Sequence, residues 1–136
     1  MMYTSHYLSP VGDLTMTGTE SNLTALYFSS QKHIAVVLDD LIERETEVFT
    51  KTKLYLDSYF EGKRPSLLPK IEIHTTPFRH NVYEILSTIG YGKTLTYGDI
   101  AKNLINKYKL KAMSAQAVGN AVGHNPICII IPCHRV

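Results

Sequence analysis

The chain has 136 residues, 44% of them hydrophobic, and a formal net charge of +2, which is enough apolar material for one ordinary core or two small modules. It has no apolar run of about eighteen residues, so no helix is expected to span a membrane, and residues 1–10 lack the basic-then-apolar order of an export signal, which makes the cytosol the expected compartment. The charge is uneven: residues 1–76 carry seven Lys/Arg against ten Asp/Glu, whereas residues 77–136 carry seven against two, and such a basic half suits either a polyanion such as nucleic acid or simply a solvated surface.

The first third reads as strands. Tyr3 to Leu8 alternates weakly, Pro10, Gly12 and Asp13 mark a turn, and Leu14 and Met16 sit two apart. Asn22 then precedes Leu23, Ala25 and the run Leu26-Tyr27-Phe28, which completes a small antiparallel meander. The stretch from Ile34 to Ile42 is apolar enough for a helix. Val48, Thr52, Tyr55, Leu56, Tyr59 and Phe60 fall on one helical face, with Gly62 placed to end that helix and Pro65 to prevent a restart. Ile71 and Ile73, alternating with Glu72 and His74, fit a short strand or a linker. The module boundary is set here, giving an N-terminal domain over 1–69 and a second domain over 70–136.

The second half reads as helices. Thr76 can cap and Pro77 suits a first helical position; Phe78, Val82, Ile85, Leu86 and Ile89 then recur at helical spacing up to Gly90. Thr96 can cap a second helix with Ile100, Ala101, Leu104 and Ile105 inward. Lys107, Lys109 and Lys111 form a basic connection, and Ser114 can cap a third helix through Ala117, Val118, Ala121 and Val122. Asn125-Pro126 ends it, because a residue before proline is pushed out of the helical region. Three short helices with a basic approach fit a helix-turn-helix or an ordinary helical core.

The chemistry concentrates in the last residues, Pro132-Cys133-His134-Arg135-Val136. A cysteine becomes a nucleophile when its thiolate is stabilised, and an adjacent imidazole and guanidinium can supply hydrogen bonds and positive charge. Cys128, inside the apolar run, reads as a small core residue, and its five-position spacing from Cys133 would close a disulfide that staples little. Cys-His adjacency also fits a cysteine hydrolase. A metal site from His124, Cys128, Cys133 and His134 lacks the spacing of the usual zinc motifs, so no metal is expected.

The segment Asn125-Pro126-Ile127-Cys128-Ile129-Ile130-Ile131-Pro132-Cys133-His134-Arg135-Val136 closely resembles the active-site signature of the O6-alkylguanine-DNA alkyltransferases. Ala117-Val118-Gly119-Asn120-Ala121 resembles that family's recognition helix, Thr96-Tyr97-Gly98-Asp99-Ile100-Ala101 its Ser/Thr-Tyr helix start, and Thr76-Pro77-Phe78 the opening of its DNA-binding module. The resemblance runs from Thr76 to Val136 and is only general before it. It implies an α+β fold: a small antiparallel sheet with helices in a ribonuclease H-like layout, then a helical, winged helix-turn-helix-like module.

The resemblance also implies an activity: single-use transfer of an alkyl group from O6-alkylguanine in double-stranded DNA to Cys133, with O4-alkylthymine as a further candidate substrate, no cofactor, and a monomer as the working unit. By position, His134 relays the cysteine proton toward a carboxylate, and Tyr97 donates toward the leaving base and crowds the backbone so that the nucleotide rotates out. Asn125 is the hinge between helix and active site, and Gly119 lets the DNA backbone come close. Arg79, Lys111 and Ser114 meet phosphates, though for Arg79 and Lys111 a solvated charge is an equal alternative. Arg135 supports the active-site loop. Gln116 stands where the family usually has an arginine that fills the gap left by the flipped base, and it lacks that group's charge and planar stacking. The family also continues past the cysteine with a loop, a helix and a glutamate that residues 1–136 do not include. The chief alternative is a module that binds alkylated DNA without repairing it, as the alkyltransferase-like proteins do; those lack the acceptor cysteine.

Overall fold

In the computed structural model, which describes residues 2–30, 41–64, 67–90 and 92–136, the chain divides into two units, Met1–His74 and Thr75–Val136. The first unit begins with β1 (Tyr3–Ser9), β2 (Gly12–Gly18) and β3 (Leu23–Phe28), joined antiparallel in the expected meander. Alternation aims Leu14, Met16 and Leu26 into the core, where each is fully buried. Thr15 and Thr17 on the opposite face are also buried and satisfy their hydroxyls on Ser29 at 2.6 Å and Thr24 at 2.9 Å.

The expected antiparallel meander is extended by one strand, which makes the sheet mixed. A fourth strand, β4 (Ile42–Glu43), pairs parallel with Tyr3 and Thr4 and sets the order β3-β2-β1-β4. Two residues are too few to show a period of two, so nothing in the pattern announces it. Apart from Leu41 and Ile42, the helix expected over Ile34 to Ile42 lies outside the described residues, as does Pro65. Helix α1 (Glu47–Phe60) is capped by Thr46, whose side chain accepts from Phe49 N, and it buries Val48, Phe49, Thr52 and Leu56 while packing on β1 and β2. Gly62 follows the helix with a φ of 75°, a conformation open to glycine at little cost. The segment 70–74, placed by the sequence in the second module, lies in the first unit. There Leu23 N donates to Lys70 O at 2.7 Å and Glu72 N donates to Leu23 O at 2.9 Å.

The second unit holds α2 (Pro77–Leu86), α3 (Tyr97–Tyr108), α4 (Ala115–Gly123) and a 3-10 turn, Cys133–Arg135. Thr76, Thr96 and Ser114 cap the three helices, and Thr96 with Asp99 forms a full capping box. Helix α2 stops at Leu86 rather than near Gly90. The Ser87 hydroxyl donates to Tyr83 O at 2.9 Å and the Thr88 hydroxyl to Ile85 O at 2.6 Å, so side chains compete for the last carbonyls. Val82, Leu86, Ile100, Leu104, Val118 and Ala121 form the three-helix core, and Ile127 and Ile131 enter the same core at 0% and 2% exposure. The two acidic residues of this unit are both engaged: Asp99 in its capping box, and Glu84 with the Tyr108 hydroxyl at 3.1 Å and Lys107 at 3.6 Å. Among the described residues no helix is long and apolar enough to cross a membrane.

Candidate active site

The chain between α4 and Cys133 is a tight, apolar loop held from inside by one amide. Asn125 is 6% exposed; its Nδ2 donates to Ile131 O at 2.8 Å and its Oδ1 accepts from Ile127 N at 3.0 Å. One side chain thus fixes both ends of the apolar run. Within the loop, Ile131 N donates to Ile127 O at 3.1 Å and Ile130 N to Cys128 O at 2.7 Å. These closures leave Ile129 at a φ of 68°. That is a left-handed conformation disfavoured for a β-branched residue, with a strain on the order of 1–3 kcal/mol.

Cys133 opens the 3-10 turn and is half-buried. Its N–H donates to Ile131 O at 2.8 Å, so the clamp of Asn125 on Ile131 also positions the cysteine backbone. Arg135 ties the other side down: its Nη1 donates to Ile89 O at 2.6 Å, and its carbonyl accepts from Leu95 N at 3.0 Å. This places the guanidinium in support of the loop. Much of the His134 surface reaches solvent, but the buried part of its ring, and then the Arg135 charge, disfavour the imidazolium and lower its pKa below the ordinary 6.5. At neutral pH His134 is therefore a neutral imidazole able to accept a proton. Burial, with a further push from a Cys133 charge, raises the Cys128 thiol to about 12, so only its protonated form exists at neutral pH.

Tyr83 is a residue the sequence reading missed. It is 2% exposed on α2 and its hydroxyl donates to Ala121 O on α4 at 2.9 Å. Burial raises its pKa, with the Arg79 charge opposing that and a charge on Cys133 adding to it. A tyrosine beside Val82 on an otherwise apolar stripe was the available signal, since a buried hydroxyl demands a partner.

The other expected residues fall along α3 and α4. Tyr97 is the first residue of α3 and 43% exposed, with its ring against Gly119 of α4, where an added Cβ would sit 3.1 Å from Cε2. Ser114 accepts from Ala117 N at 3.1 Å as the α4 cap. Gln116 and Asn120, one helical turn apart, are exposed on α4, and Lys111 is exposed on the α3–α4 connection. The structure thus joins Asn125, Cys133 and Arg135 in one bonded loop and Tyr97 with Gly119 in one contact. Lys111 and Gln116 stand on the exposed surface. Among the described residues no group of three or more His, Cys, Asp or Glu side chains could hold a metal ion.

Comparison with known proteins agrees with this geometry in both units. Residues 2–73 match the model for the 6-O-methylguanine DNA methyltransferase ribonuclease-like domain, and residues 77–136 that for the DNA-binding domain. A methylated-DNA--protein-cysteine methyltransferase of Methanosarcina acetivorans is 38% identical over 135 residues, covering 99% of this chain and 83% of the relative. A crystal structure of a variant of the M. tuberculosis O6-methylguanine methyltransferase is similar at a TM-score of 0.86 and 36% identity, over 100% of this chain and 78% of that one. The Mycobacterium tuberculosis protein OGT in complex with DNA is similar at 0.82 and 33% identity, over 98% and 77%. With both units matched in order and nearly the whole length aligned, the chain belongs to the 6-O-methylguanine DNA methyltransferase family.

Proposed function

We propose that this chain repairs double-stranded DNA by moving the alkyl group of O6-alkylguanine onto its own Cys133, each molecule acting once. The observation that carries this reading is the half-buried Cys133, held through Ile131 by the Asn125 clamp, in a unit that matches the family's DNA-binding domain. A thiol cannot reach the alkyl carbon inside a base stack, so the nucleotide must first swing out. Tyr97 crowds the backbone at that step, while Arg79, Lys111 and Ser114 hold phosphates and Gln116 occupies the vacated stack. His134 takes the thiol proton. The sulfur then bonds to the alkyl carbon as the carbon–O6 bond breaks, and the electron pair leaves with guanine, which regains a proton by way of Tyr97. The thioether formed is inert, so no second cycle follows and one subunit serves one lesion.

The test is a titration of the protein against duplex DNA carrying labelled O6-methylguanine. Label is expected to leave the DNA up to one equivalent per protein molecule and then stop. Tight binding without transfer would favour a damage-binding module, and continued turnover would contradict the single-use reaction.

Two further outcomes follow from the site. Because the His134 pKa is lowered, the transfer rate should hold level as the pH falls through 6.5 and decline only below it, as the base becomes protonated. The same shift means that the unfolded chain takes up this proton first, so on acidification this group removes stability rather than adding it. A pH–rate profile of the wild type against His134→Ala checks the assignment. At the exposed Gln116, Gln116→Arg should tighten duplex binding and steepen the log–log salt dependence of affinity by about one unit, as one added cation contact requires. Unchanged affinity across a salt series would remove Gln116 from the DNA-facing surface.

A further inference from the structure

We propose that Gly119 is a positioning residue for Tyr97: the side chain it lacks is the seat in which the Tyr97 ring is held for nucleotide flipping. This rests on the repair reading above and assigns a part of that site. The backbone at Tyr97 is fixed by the capping box, with Asp99 N donating to Thr96 Oγ1 at 3.0 Å and Thr96 N donating to Asp99 Oδ2 at 3.0 Å. From that fixed start the ring lies on α4. A Cβ at Gly119 would come within 3.1 Å of Cε2, 3.3 Å of Cδ2 and 3.5 Å of Cζ. These are ring atoms on one edge, so an alanine there displaces the whole ring rather than one flexible tip. Glycine within a helix runs against helix propensity, and Gly119 sits inside the nine-residue α4. The second glycine of that helix, Gly123, has nothing within 4 Å of an added Cβ, so lack of space singles out Gly119.

The family resemblance implies that Gly119 lets the DNA backbone come close. The structure puts a tyrosine ring at that position. The ring is backed along one edge by α4 at Gly119 and follows directly on a capped helix start, while 43% of the residue is exposed. An exposed ring already seated against a helix needs less reordering when a nucleotide must be held outside the stack.

The experiment measures single-turnover methyl transfer from an O6-methylguanine duplex, together with affinity for the same duplex without the lesion. The proteins are the wild type, Gly119→Ala, Gly123→Ala, Tyr97→Ala and Gly119→Ala combined with Tyr97→Ala. Alanine favours the helix, so the α4 variants are expected to fold. Gly119→Ala should slow transfer at saturating DNA by roughly tenfold to a hundredfold, the scale of a sub-ångström to ångström misplacement, with affinity for undamaged duplex unchanged. Gly123→Ala should match the wild type, and in the Tyr97→Ala background Gly119→Ala should have no further effect. Full-rate transfer by Gly119→Ala overturns the assignment. So does an equal loss of affinity with and without the Tyr97 ring, which would place DNA itself against Gly119. No transfer by the wild type would overturn the repair reading and this assignment with it, and the wild-type arm tells that failure from failure of the assignment alone.

Discussion

Serine at position 133 should abolish methyl removal while leaving duplex binding in place. The substitution exchanges one atom at a half-buried position, so the loop should fold as before. The reaction, however, needs an ionised nucleophile, and a hydroxyl ionises far less readily than a thiol. Cys128 offers no substitute, since burial and then the neighbouring Cys133 raise its thiol to about 12. Cys128→Ser should therefore transfer at the wild-type rate. Single-turnover assays on the two variants, run with a gel-shift measurement of binding, check the pair together. Residual transfer in Cys133→Ser would put the acceptor elsewhere.

Asn125→Ala should destabilise the second unit by about 2–4 kcal/mol, because it strips partners from two buried backbone groups at a cost of roughly 1–3 kcal/mol each. Ile127 N loses its acceptor at 3.0 Å and Ile131 O loses a donor at 2.8 Å, though the latter still accepts from Cys133 N at 2.8 Å. The strained left-handed Ile129 then has less to hold it, and transfer should fall with the loop. Asn125→Asp separates the two bonds. Its carboxylate can still accept from Ile127 N, but it faces the Ile131 carbonyl with a buried charge and no donor, so at neutral pH it should be no more stable than alanine. At low pH a protonated carboxyl regains a donor, and part of the loss should return. Urea unfolding of both variants at neutral and acidic pH measures this.

These two positions were legible because their signals are local. A proline after Asn125, an apolar run and the Pro-Cys-His-Arg order all lie within a dozen residues, and the caps Thr76, Thr96 and Ser114 each need only the next turn of chain. What escaped the sequence depends on partners far along the chain. β4 exists by pairing with Tyr3 and Thr4, and residues 70–72 join the first unit through Leu23. Tyr83 takes its meaning from Ala121, and Gly119 from the Tyr97 ring. The stop of α2 at Leu86 is the exception: Ser87 and Thr88 are adjacent to it, and the later Gly90 drew the boundary too far.

The most direct measurement is mass spectrometry of the protein after incubation with duplex DNA carrying a single O6-methylguanine. Transfer to Cys133 predicts the mass of one added methyl group, carried by the peptide holding Cys133 and absent from the peptide holding Cys128 alone after a cut between them. A methyl group on any other residue, or repaired guanine with an unmodified protein, would contradict it.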